Sequence, residues 1–303
     1  MVNESEKSKA NSKSADARSE ATSADVVKEK QSVSVVQPKI LKPLGLTKDK
    51  SAKVNVYGID GKVIKQVELP HIFFTEFRPD IIRKAVVALQ THARQPYAPA
   101  PTAGMRHAVF WWGKGRGVSR VPRLTGGRRG AQSPGCVGGR RAHPPKVEKV
   151  WFKAINEKEK RLAICSALAA TSQKPIVKAR GHKFEEDLTL PIVMEDKLQS
   201  LKKTREVMDA LNNLGVLSDL IRAEDGIAVR AGRGKMRGRR YKTPISVLLV
   251  VAKDDGLKEA ARNLPGVSIT TVPNLNAEIL APGGMPGRLT IFSESALSML
   301  EGW

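Results

Sequence analysis

The stretch Ile245-Ser246-Val247-Leu248-Leu249-Val250-Val251-Ala252 holds the longest apolar run of the chain, and its length is that of a strand, not of a membrane span. Downstream of it the pattern alternates. A helix is predicted over 257–263, a strand over 267–272, a short helix over 275–280, a strand over 288–292 and a last helix over 295–300. Strands that take turns with helices predict an α/β domain built on a mostly parallel sheet with flanking helices.

Upstream, residues 197–213 predict a helix with apolar Leu198, Leu201, Val207, Met208 and Leu211, stopped around Gly215, and 216–223 continue as a short helix. Residues 175–179 read as a buried strand. An earlier helix starts at Asn156, with Glu159 three residues on in the manner of a capping box, and offers Leu162, Ile164, Cys165, Leu168 and Ala169 as a broad apolar surface. Two β-like runs, 54–57 and 62–69, flank a turn at Gly58 to Gly61. Pro79 then opens a helix that carries Ile81, Ile82, Ala85, Val86 and Leu89 on one face. These pieces assemble a globular α/β domain over 53–303, interrupted by a long extended loop over 91–147. The roughly 195 residues outside the loop suffice for a real core. Residues 1–52 read as a disordered tail, since 1–50 carry 10 Lys and Arg against 7 acids with no recurring apolar face.

The interrupting loop is a basic arm. Between Asp80 and Glu148 there is no Asp or Glu, while 81–147 holds 13 Lys and Arg, and 91–147 adds 10 Gly and 7 Pro. So little apolar surface cannot offset the entropy of ordering the backbone, and so many cations with no internal counter-charge call for a polyanion. The whole chain has the same sign, with a net charge of +22 over 303 residues and a pI near 10.2, the footprint of a nucleic-acid binder. An anionic membrane would attract the same charge, but no 18-residue apolar run, signal peptide or lipidation motif occurs, and no membrane partner is expected. Cys136 and Cys165 sit in unlike contexts without metal-ligand spacing, as in a reduced cytosolic protein.

Within the arm the candidate RNA contacts are Arg94, Tyr97, Arg106, His107, Trp111, Trp112, Lys114, Arg116, Arg120, Arg123, Arg128, Arg129, Arg140, Arg141 and His143. Arginine can pair two donors with a phosphate and lay its plane on a base, glycine lets backbone approach a ribose-phosphate surface, and Tyr97, Trp111 and Trp112 offer flat faces to unpaired bases. The bland readings stay open: tryptophans that anchor the arm to its own domain, and arginines of a plain basic linker. A second cluster, Arg230, Arg233, Lys235, Arg237, Arg239 and Arg240 followed by Lys242, repeats the Gly/Arg composition and reads as a further RNA contact, against an exposed solvated loop. No nucleotide-binding glycine loop, His-Glu-x-x-His or Gly-x-Ser-x-Gly occurs, His107 and His143 lack metal-ligand company, and neither an active site nor a cofactor is assigned. Glu185, Glu186, Asp187, Glu195 and Asp196 read as solubilising acids or contacts to a basic partner, and His182 as a lone turn histidine.

At five stretches the chain resembles the L four family of large-subunit ribosomal proteins, in its archaeal and eukaryotic branch: 94–97, 112–123, 162–170, 230–240 and 280–292. Five matches in the right order go far beyond what a basic composition gives. The resemblance implies a globular α/β domain on the outside of the large subunit and a loop threading into rRNA, its tip lining the nascent-peptide exit tunnel near the constriction. Carried onto this chain, the tip is about 113–123, with Lys114, Arg116, Arg120 and Arg123 as tunnel-side or rRNA contacts, and 230–240 as a further rRNA contact. The implied partners are large-subunit rRNA, neighbouring large-subunit proteins and the nascent peptide near the loop tip, and the implied place is the cytoplasm, ribosome-bound. The family's eukaryotic members carry a long basic C-terminal extension that this chain does not show beyond Trp303, so an archaeal type is expected, and the tail matches nothing in the family. Two rivals stand: a nucleic-acid-modifying α/β enzyme whose basic arm captures substrate, and a DNA-compacting protein.

Overall fold

The computed structural model describes residues 52–301, so the tail expected to be disordered over 1–52 lies, apart from Ala52, outside the described residues. Strands β1 (Lys53–Tyr57) and β2 (Val63–Glu68) form a hairpin, and α1 (Pro79–His92) follows. Two short strands of the arm, β3 (Val109–Phe110) and β4 (Arg123–Leu124), precede α2 (Glu157–Thr171), α3 (Lys174–Ala179) and β5 (Ile192–Met194). Next come α4 (Thr204–Asn213), α5 (Leu217–Asp225), β6 (Ala228–Val229) and β7 (Tyr241–Lys242). The chain then alternates through β8 (Leu248–Val251), α6 (Leu257–Ala261), β9 (Ser268–Thr271), α7 (Ala277–Leu280), β10 (Thr290–Ser293) and α8 (Glu294–Leu300).

Six strands make the main sheet in the order β2-β1-β5-β10-β8-β9. Every pairing is parallel except β1 with β2, which bears out the α/β class with a mostly parallel sheet. The apolar run that opened the sequence reading has a physical reason: both faces of its strand are covered. Leu248 and Val250 point with Val56, Val193 and Phe292 into one core, where α1, α2, α7 and α8 supply Ile82, Leu168, Leu280 and Leu297. Leu249 and Val251 point with Ile192, Met194 and Ile291 into the other, against Leu211 of α4, Leu220 of α5 and Leu257 of α6. Phe73 meets Phe292 edge-to-face, ring centroids 5.7 Å apart.

Three local expectations are corrected. Residues 174–179 form a helix rather than a strand, because Pro175 fits a first helical turn and only Val177 is buried. The strand at this point of the chain is β5, three apolar residues after Pro191 that gave the sequence too little pattern. The single helix expected over 197–213 is two pieces, a 3-10 turn Asp196–Ser200 and α4, separated where Leu201 and Lys203 turn extended. Asn156 does cap α2, yet its side chain makes no capping hydrogen bond; Glu159 instead holds Lys84 of α1 at 2.8 Å. The turn between β1 and β2 needs Gly61, at φ +77°, since a Cβ there would lie 2.2 Å from the Asn213 carbonyl oxygen.

At the amino ends of the strands lies a buried polar hub. The Asp219 carboxylate of α5 is fully buried and accepts from Ser246 Oγ at 2.8 Å, His182 Nδ1 at 3.0 Å, the Lys183 amide at 3.0 Å and Arg222 Nε at 2.8 Å. Burial opposes its charge, but the His182 and Arg222 hydrogen bonds win and hold its pKa well below the usual carboxylate range. Burial lowers the His182 pKa, so His182 stands neutral and donates through Nδ1. Arg288, also buried, donates to the carbonyls of Ser246 at 2.9 Å and Ile279 at 3.0 Å and to Ser268 Oγ at 2.8 Å, tying β8, β9 and α7 together. Burial, and then the charge of Arg180, push its pKa down to about 9, so it stays charged at neutral pH.

Asp219→Asn keeps the shape of the hub but removes the anion and turns an amide donor toward donors. The expected loss is about 3–5 kcal/mol at pH 7, read from urea denaturation. A depressed carboxyl contributes stability above its unfolded value of 3.8 and loses it as pH falls through the folded value. The gap between wild type and variant is therefore expected to be full at neutral pH and to shrink only in acid below that value. Equal urea midpoints at pH 7 contradict the role given to the hub.

Candidate nucleic-acid interface

The arm leaves the domain at the end of α1 and returns at the start of α2, and its neck is sewn shut. Buried Thr91 donates through Oγ1 to the Ala88 carbonyl at 2.6 Å, and the same oxygen accepts the Lys153 amide of the returning chain at 3.0 Å. His92 stacks on Phe152, centroids 5.5 Å apart. Both ends of the arm thus hang from one point of a rigid helix pair.

Beyond the neck the arm has more internal structure than its composition predicts. Val109 and Phe110 pair antiparallel with Leu124 and Arg123, and the chain doubles back again through Leu124 N to Arg129 O at 3.0 Å and Ala131 N to Pro122 O at 2.9 Å. The organiser is Arg123, only 9% exposed. Its guanidinium donates to the Ser119 carbonyl and hydroxyl, each at 3.2 Å, and to the Arg128 carbonyl, and it sits 5.4 Å from the Trp112 ring centroid. Arg123 and Trp112 therefore pack on each other in this structure, while the Trp112 indole N–H and Arg123 Nε stay buried without an acceptor. Glycines 113, 115 and 117, at φ +78°, +77° and +67°, carry the loop between them through left-handed steps with no neighbour within 4 Å. The Gln132 amide braces the arm from inside, donating to the carbonyls of Met105 at 3.0 Å and His107 at 2.7 Å.

Most of the remaining candidates face outward. Arg94, Tyr97, Arg106, His107, Trp111, Lys114, Arg116, Arg120, Arg128, Arg129, Arg141 and His143 are exposed, whereas Arg140 is half-buried. Among the described residues no ion pair engages any cation between Arg94 and Lys149. His107 and His143 join no metal cluster among the described residues. Tyr97, Arg141 and His143 come together at the root of the arm around a cleft that also takes in Lys146, Lys149 and Trp151. None of these three stood out in the sequence: Lys146 lies within the acid-free window but apart from its Gly/Arg runs, and Lys149 and Trp151 fall past Glu148, which closes it. The available signal was Trp151 itself, the one tryptophan beside Lys149 in the returning limb.

The second cluster is a hairpin of β6 and β7, Ala228 opposite Lys242 and Val229 opposite Tyr241. Half-buried Arg230 closes it, donating through Nε to the Arg239 carbonyl at 3.2 Å. Arg233, Lys235, Arg237, Arg239 and Arg240 remain exposed, with Arg240 5.5 Å from the Tyr241 ring centroid.

An α/β enzyme keeps its site in the crevice at the carboxyl ends of the strands. Here that end is plugged. Gln199 donates to Ser293 Oγ at 3.0 Å and accepts the Lys253 amide at 3.2 Å, while Asp196 accepts the Ser295 amide at 3.0 Å. Asp196 is thus a structural acid that closes the crevice, and His182 belongs to the buried hub.

The profile of the ribosomal protein L4/L1 family matches residues 67–303 of the chain. The large ribosomal subunit protein uL4 of Archaeoglobus fulgidus is 51% identical over 251 residues, 83% of this chain and 99% of that protein. The uL4 of Methanoregula boonei is 51% identical over 250 residues, 82% of this chain and 99% of its own. That of Methanosphaera stadtmanae is 44% identical over 249 residues, 82% of this chain and 96% of its own.

Arg123→Ala removes a charged donor that holds three acceptors, each such bond contributing about 1.5–3 kcal/mol. In the free protein, trypsin is expected to cut within 119–131 about tenfold faster or more, while the stability of the domain in urea changes by no more than about 0.5 kcal/mol. An unchanged cleavage rate contradicts the organising role of Arg123.

Proposed function

The chain belongs to the ribosomal protein L4/L1 family, and on that premise we propose that its arm is the element that binds and braces large-subunit rRNA, with its tip at the wall of the nascent-peptide exit tunnel. Family membership makes the chain a structural constituent of the large ribosomal subunit, not an enzyme, acting in the cytoplasm as part of the ribosome.

One observation carries the reading of the arm: 11 Lys and Arg over 91–147 with no acid among them, most of them exposed. Phosphates supply the missing counter-charge, and a guanidinium pairs with them bidentately. The neck delivers this charge as one protrusion, so the domain stays outside while the arm enters between RNA segments. Lys114, Arg116 and Arg120, on a loop whose three glycines leave space around the backbone, are the residues proposed at the tip, against rRNA or the tunnel lumen. Arg94, Arg106, Arg128, Arg129, Arg140 and Arg141 are proposed along the limbs, with Tyr97 and Trp111 stacking on unpaired bases. Arg123 and Trp112 act from inside by fixing the shape of the tip. The exposed cations of the β6–β7 hairpin are proposed as a second rRNA contact.

The double variant Arg116→Glu and Arg120→Glu tests the reading. It is expected to leave the domain folded, since neither side chain touches the core, and to cut incorporation into large subunits by about tenfold or more, two charge reversals each replacing a phosphate contact by repulsion. The readout is the fraction of tagged protein that sediments with subunits. Incorporation at the wild-type level contradicts the arm as the docking element.

A further inference from the structure

The cleft at the root of the arm gathers aromatic rings and cations around a single concavity. Its volume is about 600 Å³, within the range of roughly 300–1,000 Å³ in which proteins seat small-molecule ligands. Two aromatic rings, Tyr97 and Trp151, and three basic side chains, Arg141, Lys146 and Lys149, line it against one carboxylate, Glu148. Tyr97 is 75% exposed, so its ring is available. The Trp151 indole N–H is buried and finds no acceptor, so what the residue offers the cleft is its ring and not its donor. Lys149 Nζ lies over the Trp151 ring, 4.5 Å from its centroid, so a base that stacks on that face must displace the ammonium, which then reaches the nucleotide's own phosphate. Pro144 and Pro145 form part of the wall, and their fixed backbone dihedrals keep it in shape without a bound partner. Two residues beyond Trp151, Lys153 is pinned to Thr91 at the neck, so this wall is anchored to α1.

We propose that this cleft seats a single unpaired nucleotide of RNA, its base on the aromatic wall of Tyr97 and Trp151 and its phosphate among Arg141, Lys146 and Lys149. The proposal rests on the reading of the arm as an RNA-binding element and deepens it: the arm then carries a fixed anchor at its root as well as charge along its length. A flat π-face beside clustered cations matches a nucleotide, which is a plane joined to a phosphate. An acidic peptide would satisfy the cations and leave the rings without a partner.

The test uses the full chain and a short single-stranded RNA substituted with 5-iodouridine, crosslinked by light and mapped by mass spectrometry. Adducts on Trp151 or Tyr97 are expected. Trp151→Leu, which keeps apolar bulk and removes the plane, is expected to weaken binding of the same RNA by about tenfold, the effect of one stacked base, and Trp151→Phe to stay within about threefold of wild type. Adducts confined to Trp111 and Trp112, with normal affinity of both Trp151 variants, overturn the root site and leave the arm reading standing. Polyglutamate that blocks the Trp151 adduct as well as RNA of equal charge overturns it in favour of an acidic peptide. No RNA binding by the wild-type chain at all sinks the arm reading itself, and the root site with it. Should Trp151→Leu fail to fold, the adduct map on the wild-type chain decides alone.

Discussion

Eleven positive side chains over 91–147 repel one another, and nothing within the segment neutralises them. At about 7 Å in water each like-charge pair costs about 0.6 kcal/mol, and more wherever the dielectric falls. The rest of the molecule can be understood as a device for holding this charge out. The sheet, with a core on each face, makes α1 and α2 rigid. Thr91, His92, Phe152 and Lys153 join the two limbs at one point, and the short ladder around Arg123 gives the tip a shape of its own without any apolar core.

That division explains why the domain carries buried ionic groups at one end of its sheet and a filled crevice at the other. A chain that turns over a substrate keeps its strand ends open. Here Asp196 and Gln199 bind across them, and Asp219 and Arg288 fasten the opposite ends. Both arrangements trade an accessible site for a fixed frame, which suits a protein whose work is to hold other molecules in place.

Much of this was legible in the sequence. The alternation after residue 245 follows from burial on both faces, which makes strands apolar throughout and separates them by amphipathic helices. The arm announced itself through absent acids and abundant glycine. What stayed hidden depends on tertiary context. Strand β5 is three residues long and owes its place to neighbours on both sides, Val193 lying opposite Val56 and Phe292, so no local pattern marked it. Leu201 breaks the expected helix because Leu198 and Gln199 are drawn to the strand ends. The inward turn of Arg123 depends on Ser119, Arg128 and Trp112 meeting in space, which no spacing rule encodes. Lys149 and Trp151 lay just beyond the acid that closes the window, by one residue and by three.

The central claim is that the arm, by its charge and fixed shape, makes the chain an integral part of the large subunit. Sedimentation of tagged protein from lysate at moderate and then high salt, with crosslinked RNA sequenced from each fraction, tests it most directly. Binding through phosphates alone weakens with a log–log slope of about −0.7 to −0.9 per contact. The account predicts that the chain stays with large subunits through the high-salt wash and crosslinks through the arm to a few fixed rRNA positions. Release at high salt, or crosslinks scattered over many RNAs, contradicts it.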